Sequence, residues 1–318
     1  MTGVTGPGRP DILVLADGHG QHSRCVALRP LVLKRIGRLL LYVVLMGGAV
    51  VMVSPFMWML STSVTPAAEV FAWPPRLIPS ALRVDNYREA LVKLDFSRYF
   101  INSLIVAGVS TLSVLILDSL AGYAFARLRF PGRGVLFSFI LGTVMIPVQV
   151  TMIPLFIMFR AVPLAGGNDL LGTGGTGLID TYSALIFPGM ATTLGVYIMR
   201  EFFSMLPPDL LDAARIDGCS EFQAFCRVYL PLAKPALATV GMFTFTESWN
   251  AFLWPLILTT KPEMRTLQLG LSSYKDQYFA DWHLLMAAAV ITSLPIFLIF
   301  LVGQRQFIKG VALSGLKA

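Results

Sequence analysis

The sequence predicts an all-α integral membrane protein of six transmembrane helices with both termini on the cytoplasmic face. Three observations carry that reading. Of the 318 residues, 55% are hydrophobic and only 14% charged, with a mean hydropathy of +0.70, so there are too few polar groups to clothe soluble domains of ordinary charge content. The apolar residues gather into six runs, each long enough for the roughly 20 residues that a helix needs to cross a bilayer core. The basic residues, finally, divide unevenly between the alternate connections.

The runs are Leu39 to Leu60, Phe100 to Phe125, Val135 to Phe159, Tyr182 to Met199, Ala236 to Leu258 and Leu284 to Val302. Prolines 55, 147, 154, 188, 255 and 295 fall inside them. A packed membrane bundle tolerates this, because neighbouring helices and hydroxyl side chains satisfy the freed carbonyls. With a cytoplasmic N-terminus, the inside segments hold 16 Lys and Arg and the outside segments 9, the latter offset by nine acids. This bias selects the orientation. The pI near 9.5 therefore needs no nucleic acid to explain it, and no basic-aromatic groove or zinc-finger spacing occurs.

Residues 1–35 are Gly-rich at first and lack a sustained apolar period, which reads as a loosely ordered cytoplasmic tail. Residues 36–318 are expected to form the six-span membrane domain. The first span is too long for a signal-peptide core and lacks a small-residue cleavage site, so it is expected to stay as an anchor. Cys25, Cys219 and Cys226 all fall on the inside, which predicts a reducing compartment, no disulfide and no metal site. His19, His22 and His283 are scattered and take no role.

The longest inside connection, 201–235, lies between the fourth and fifth runs. Pro207-Pro208 followed by Asp209 suits a helix start, since proline fits the first turn and an acid fits the positive end of the dipole. Leu210, Leu211, Ala213 and Ala214 give that helix an apolar face, and Gly218 stops it. Ser220 with Gln223 matches a capping box, after which Phe222, Phe225, Cys226, Tyr229 and Leu230 follow at helical spacing until Pro231 and Pro235. The pattern is thus a helix, a sharp turn and a second amphipathic helix. On pattern alone two readings stand: a surface-lying hairpin that merely joins two spans, or a docking element whose turn presents the first helix outward.

The spacing of Asp212-Ala213-Ala214, three residues, Gly218, nine residues and then Val228-Tyr229-Leu230-Pro231 resembles the "EAA" signature of binding-protein-dependent ABC importer permeases. The chain departs from it in having Asp212 for Glu and Val228 for Ile. The resemblance extends over residues 30–318. "NSLIVAGVSTLSVLILDSLAGYAFARLRFPGRG", "MIPVQVTMIPLF", "FTESWNAFLWPLIL" and "LPIFLIFLVGQRQFIKGVALSGLKA" are similar to the carbohydrate branch, specifically the second permease subunit of maltose-type importers. This resemblance implies a type I importer permease fold in a bacterial inner membrane, importing a sugar or another small polar solute. It also implies a second permease subunit, two cytoplasmic ATPase subunits and an extracytoplasmic solute-binding protein. The coupling set it implies is Asp212, Ala213, Ala214, Asp217, Gly218, Ser220, Leu230 and Pro231.

No G-x-x-x-x-G-K-[ST] occurs, and "GTGGTG" at 172–177 has no following lysine. The chain is therefore expected not to be an enzyme and to bind no cofactor, with ATP and Mg²⁺ used by the separate ATPase. A secondary transporter would more often show internal repeats, and an intramembrane enzyme needs a catalytic set that is missing here. Two ionisable groups lie within the runs, Asp118 and Glu247, and such groups are functional candidates by default. Glu247 adjoins Trp249 and Asn250, the chemistry that binds a sugar ring. Their alternative role is to hold helices or the partner permease together, at about 0.6 to 2 kcal/mol each. The outside segments 259–283 and 61–98 are either plain connections or rims that meet the binding protein.

Overall fold

The computed structural model describes residues 28–93, 95–274 and 281–315, and every regular element among them is helical. The chain divides into two units, residues 1–55 and 56–318. In the first, the described structure belongs to α1 (Leu28–Ser63), whose side chains from Arg35 to Trp58 are all exposed. A helix apolar all round is one that lipid or protein covers. This helix starts at Leu28, inside the stretch expected to be a tail; the expected tail's remainder, with Cys25, His19 and His22, lies outside the described residues.

In the second unit, α2 (Asp85–Lys93) leads into α3 (Phe96–Arg127), a 32-residue helix. The latter is the hub of the unit. It packs along α7 (Thr193–Met205) on one side and α11 (Lys234–Trp249) on another, and α11 in turn packs on α14 (Trp282–Gly315). The α3–α7 approach is close because Gly122 allows it: a Cβ there would lie 2.6 Å from Met199 Cβ and 2.8 Å from the Arg200 nitrogen. Small residues at such crossings are how membrane helices gain packing contact where burial from water is not available.

Three of the expected spans are long, apolar helices: Arg35–Ser63, Phe96–Arg127 and Trp282–Arg305. The other three are not continuous. The third run becomes α4 (Arg133–Gly142) and α5 (Val148–Arg160), bent by 101°. Pro147 explains the break, since it pushes Ile146 to extended backbone at ψ 114°. The fourth becomes α6 (Tyr182–Ile186), a 3₁₀ turn at Phe187–Gly189 and α7, with a bend of 44° between Gly189 and Thr193. The fifth, expected unbroken from Ala236 to Leu258, stops at Trp249 and resumes as α12 (Leu253–Leu258). Pro255 there has no N–H to give Ala251. By length and composition, three bent pairs among the described residues raise the number of candidate spans to as many as six; the third pair is Glu221–Leu232 with Lys234–Trp249, bent by 79°, so it joins α11 to the segment before it and not to α12.

Between α7 and α11 lie α8 (Asp209–Ile216), α9 (Glu221–Ala224), a π-helical turn at Phe225–Tyr229 and the short α10 (Leu230–Leu232). The π turn is not what a plain second helix predicts. Pro231 cannot donate to Arg227, and the widened turn sits immediately upstream of it. α13 (Leu267–Ser272) completes the described helices.

Candidate functional site

The hairpin around Gly218 is closed by a full set of local bonds. Asp209 and Asp212 lie in the first turn of α8, at the positive end of its dipole. At its other end Cys219 N–H donates to the Ala214 carbonyl at 2.9 Å and Gly218 N–H to the Arg215 carbonyl at 3.0 Å, the 6→1 and 5→2 pair of a Schellman stop. Gly218 has φ +80°, and no atom lies within 4 Å of where a Cβ would be, so backbone conformation and not space requires glycine there. The next helix opens with the predicted capping box, Ser220 Oγ accepting from Gln223 N–H at 3.3 Å and Gln223 Oε1 from Ser220 N–H at 2.8 Å.

Across the turn, Arg215 donates through Nε at 2.9 Å and Nη2 at 2.7 Å to Glu221 Oε1. That bond raises the already high pKa of the guanidinium, and Asp212 adds to it. One face of the hairpin is anchored: Leu211 and Ala214 are buried in a cluster with Tyr123, Phe203, Phe225 and Tyr229. Tyr123 is its centre, with rings of Tyr229 at 5.1 Å and Phe225 at 5.3 Å. Its hydroxyl donates to Glu221 Oε2 at 3.2 Å. The Arg127 guanidinium lies 5.2 Å from the Tyr229 ring centre and donates to the carbonyls of Phe203 and Leu206.

The opposite face is open. Of the coupling set that the resemblance implies, Asp212, Ala213, Asp217, Gly218, Ser220 and Pro231 are exposed. Ala214 and Leu230 of that set face the other way, into or against the aromatic cluster. Sequence reasoning missed two outward apolar side chains, Ile216 at 86% exposure and, assigned to the inner face by its spacing, Phe222 at 64%. The signal available was that Ile216 falls off the stripe defined by Leu210, Leu211 and Ala214.

A second feature is a cavity of roughly 200 Å³ bordered by Ser110, Thr192, Thr244, Glu247, Ser248 and Trp254, among others. Glu247 is exposed toward it. Asn250 accepts from Gln268 Nε2 at 3.0 Å and donates to the Thr246 carbonyl at 2.9 Å, tying the end of α11 to α13. Trp249 and Asp118 are not brought to this cavity. Trp249 is 1% exposed, stacks on Phe245 at 5.6 Å, and donates its indole N–H to the Thr292 carbonyl at 3.1 Å. It is a core residue in this conformation, since its ring fills space and its polar atom is satisfied. Asp118, 0% exposed, accepts from Thr192 N–H at 3.1 Å and Thr192 Oγ1 at 2.8 Å, fastening α3 to the start of α7. The aromatic at the cavity is Trp254, and its polar lining is mostly Ser and Thr. Hydroxyls inside apolar runs 2, 4 and 5 were the readable signal.

At the other end of α3, Asn102 Nδ2 donates to the carbonyls of Glu263 and Arg265 at 2.8 and 2.9 Å. Asp180 accepts from Thr260 N–H, Thr260 Oγ1 and Lys261 N–H at 2.6, 2.6 and 2.9 Å. Burial opposes its charge, but these donors outweigh burial and hold the carboxyl below its usual range. The segment 259–283 is thus fixed to α3 and to the α5–α6 connection over its first part, while residues 275–280 lie outside the described residues. In the segment 61–98, Phe71, Trp73 and Ile78 are 78%, 89% and 83% exposed.

The structure thus presents a half-exposed hairpin anchored to a unit of apolar helices. Residues 118–312 match the family described as binding-protein-dependent transport system inner membrane component, and the chain belongs to it. It is a multi-pass membrane protein. Among its relatives, the arabinooligosaccharides transport system permease protein AraQ of Bacillus subtilis is 36% identical over 75% of this chain and 80% of its own. The diacetylchitobiose uptake system permease protein NgcG of Streptomyces coelicolor is 32% identical over 83% of this chain and 84% of its own. The fold matches a crystal structure of a bacterial ABC transporter that imports the acidic polysaccharide alginate, with a TM-score of 0.73 and 24% identity over 86% of this chain and 97% of that one.

Proposed function

We propose that this chain is one of two permease subunits of an ATP-driven importer of a sugar, and that the hairpin at Gly218 is where the ATPase grips it. The observation that carries the reading is the division of the hairpin's faces. Its inner face is locked to α3 and α7 through Tyr123, Phe203 and Tyr229, while Asp212, Ala213, Ile216 and Asp217 project outward. An element so built transmits a push instead of absorbing it.

In this mechanism both termini and the hairpin are cytoplasmic, and the bent pairs α4–α5 and α6–α7, together with α11, complete six spans. Two ATPase subunits, which bind the ATP and Mg²⁺, close on each other and draw in one hairpin from each permease subunit, the two permeases forming a heterodimer. The spans then rock so that the cavity at Glu247 opens toward the solute-binding protein, and hydrolysis reverses the motion. Glu247, Asn250 and the surrounding hydroxyls offer hydrogen bonds to a passing polyol; Asp118 and Trp249 hold the helices that move. The sugar assignment draws on what the relatives carry, an arabinooligosaccharide and diacetylchitobiose by their names.

The test is a cross-link. With Cys25, Cys219 and Cys226 replaced by Ser, Ile216→Cys should join to the ATPase through a short bifunctional reagent and react with an impermeant maleimide only after cells are opened. Labelling from outside intact cells would overturn both the orientation and the coupling role. A panel of sugars and other polar solutes, read by stimulated ATP hydrolysis in the reconstituted importer, separates a carbohydrate permease from one for another solute.

A further inference from the structure

Beside the hairpin, three arginines fall within seven residues where α3 gives way to α4: Arg127, Arg129 and Arg133. They line one cleft of about 760 Å³ together with Phe130, Pro208 and Arg215. The two carboxylates at its edge, Asp212 and Glu221, are both engaged by Arg215. Among the described residues no carboxylate pairs with the other three arginines. Arg127 spends one nitrogen on the carbonyls of Phe203 and Leu206, and its Nε is buried without a partner. Arg133 gives Nη1 to the Leu128 carbonyl at 3.0 Å, and Arg129 is exposed. The positive-inside bias accounts for arginines on this face, but not for their convergence on a single concavity with so many donors unspent.

Guanidinium forks match the paired oxygens of phosphate better than any other biological anion save carboxylate. What chooses the source is the next turn of chain. A second, adjoining concavity shares Arg129, Phe130 and Arg133 with the cleft and adds Pro131. α4 begins at Arg133 and at once exposes Val135, Leu136 and Phe139, at 78%, 49% and 74%. An amphiphile with its anionic head among the arginines and its chains along these side chains satisfies both surfaces at once, in the manner of basic clefts at the ends of membrane helices.

We propose that the cleft between the α3–α4 junction and α8 is a binding site for the phosphate headgroup of an anionic phospholipid, whose acyl chains lie on α4. The probe is dioleoylphosphatidylglycerol against dioleoylphosphatidylcholine, presented in nanodiscs to the permease pair with its ATPase bound. Lipid carried through purification is then counted by native mass spectrometry. Wild type should retain phosphatidylglycerol selectively. Arg129→Gln with Arg133→Gln should lower that retention by about tenfold, the loss of one ordinary charge-assisted contact or more.

The Arg129→Lys, Arg133→Lys pair keeps the charge that orients the spans but loses the fork, and should retain an intermediate amount. Equal retention in all three proteins would overturn the proposal. So would displacement of the lipid by inorganic phosphate, which would assign the cleft to a soluble anion. Loss of the ATPase from the Gln pair with lipid retention intact would assign it to the protein partner instead. Retention is read without hydrolysis, so the result stands apart from the fate of the coupling assignment.

Discussion

Replacing Gly218 isolates the hairpin from the rest of the molecule. The residue sits at φ +80° with no atom within 4 Å of the point a Cβ would occupy, so a side chain there meets no clash and the whole penalty is conformational. For an ordinary L residue that penalty is about 1 to 2 kcal/mol, which corresponds to a fall of roughly 5- to 30-fold in the population holding the Schellman turn. Asparagine takes this conformation more readily than alanine, and a β-branched residue least of all. The expected order of damage is therefore Gly218→Asn, then Gly218→Ala, then Gly218→Val. Two measurements read it: affinity of the detergent-solubilised permease pair for its ATPase, and hydrolysis stimulated by liganded binding protein in proteoliposomes. Thermal melting of the transmembrane body should stay near wild type, because no core contact changes. If Gly218→Val bound the ATPase as tightly as wild type and supported normal stimulation, the hairpin would not be the coupling element; if all three variants melted early, the penalty would not be local.

A Cβ at Gly195 would lie 2.0 Å from Asp118 Oδ2 and 2.7 Å from Thr192 Oγ1, so Gly195→Ala should displace the carboxylate from its donors and lower stability by about 1 to 3 kcal/mol, seen as an earlier melt by scanning fluorimetry; an unchanged melt would refute the close fastening of α3 to α7. Glu247→Gln should cut transport by about 10-fold or more if the carboxylate bonds solute in transit, while co-purification of the ATPase stays intact; unchanged uptake would remove Glu247 from the pathway. Asp180 has a depressed pKa, so its contribution to stability is complete above the ordinary value near 3.8 and is lost as pH falls through the lower folded value. An acid titration of unfolding should consequently show wild type losing its advantage over Asp180→Asn only below about pH 4; a gap that is constant with pH would contradict the donor arrangement at Thr260 and Lys261.

Local rules alone made the hairpin legible. Pro208, Gly218 and the Ser220–Gln223 box act over a few residues, and each appears where its chemistry places it. The breaks at Pro147, between Gly189 and Thr193, and before Leu253 were harder. Hydropathy registers the length of an apolar run and not its straightness, and proline inside a membrane helix is as often accommodated as it is disruptive. The cavity at Glu247 was the least readable part. Trp249 and Glu247 are two residues apart, so on a helix they point to different sides, and adjacency in "ESWN" suggested a shared site that the helix separates. The hydroxyls of Ser110, Thr192 and Thr244 meet only because α3, α7 and α11 pack together, which no single stretch of sequence encodes.

The 32 residues of α3 make a rod of about 48 Å that carries Tyr123 near one end and Asn102 near the other. Tyr123 holds Glu221 of the hairpin, and Asn102 holds the backbone at Glu263 and Arg265. Opposite surfaces of the protein are therefore clipped to one strut. Any preference the strut has for one tilt is felt at both clips with equal energy, so a partner that tightens its hold when the far surface is occupied must, by reciprocity, tighten the far surface in return.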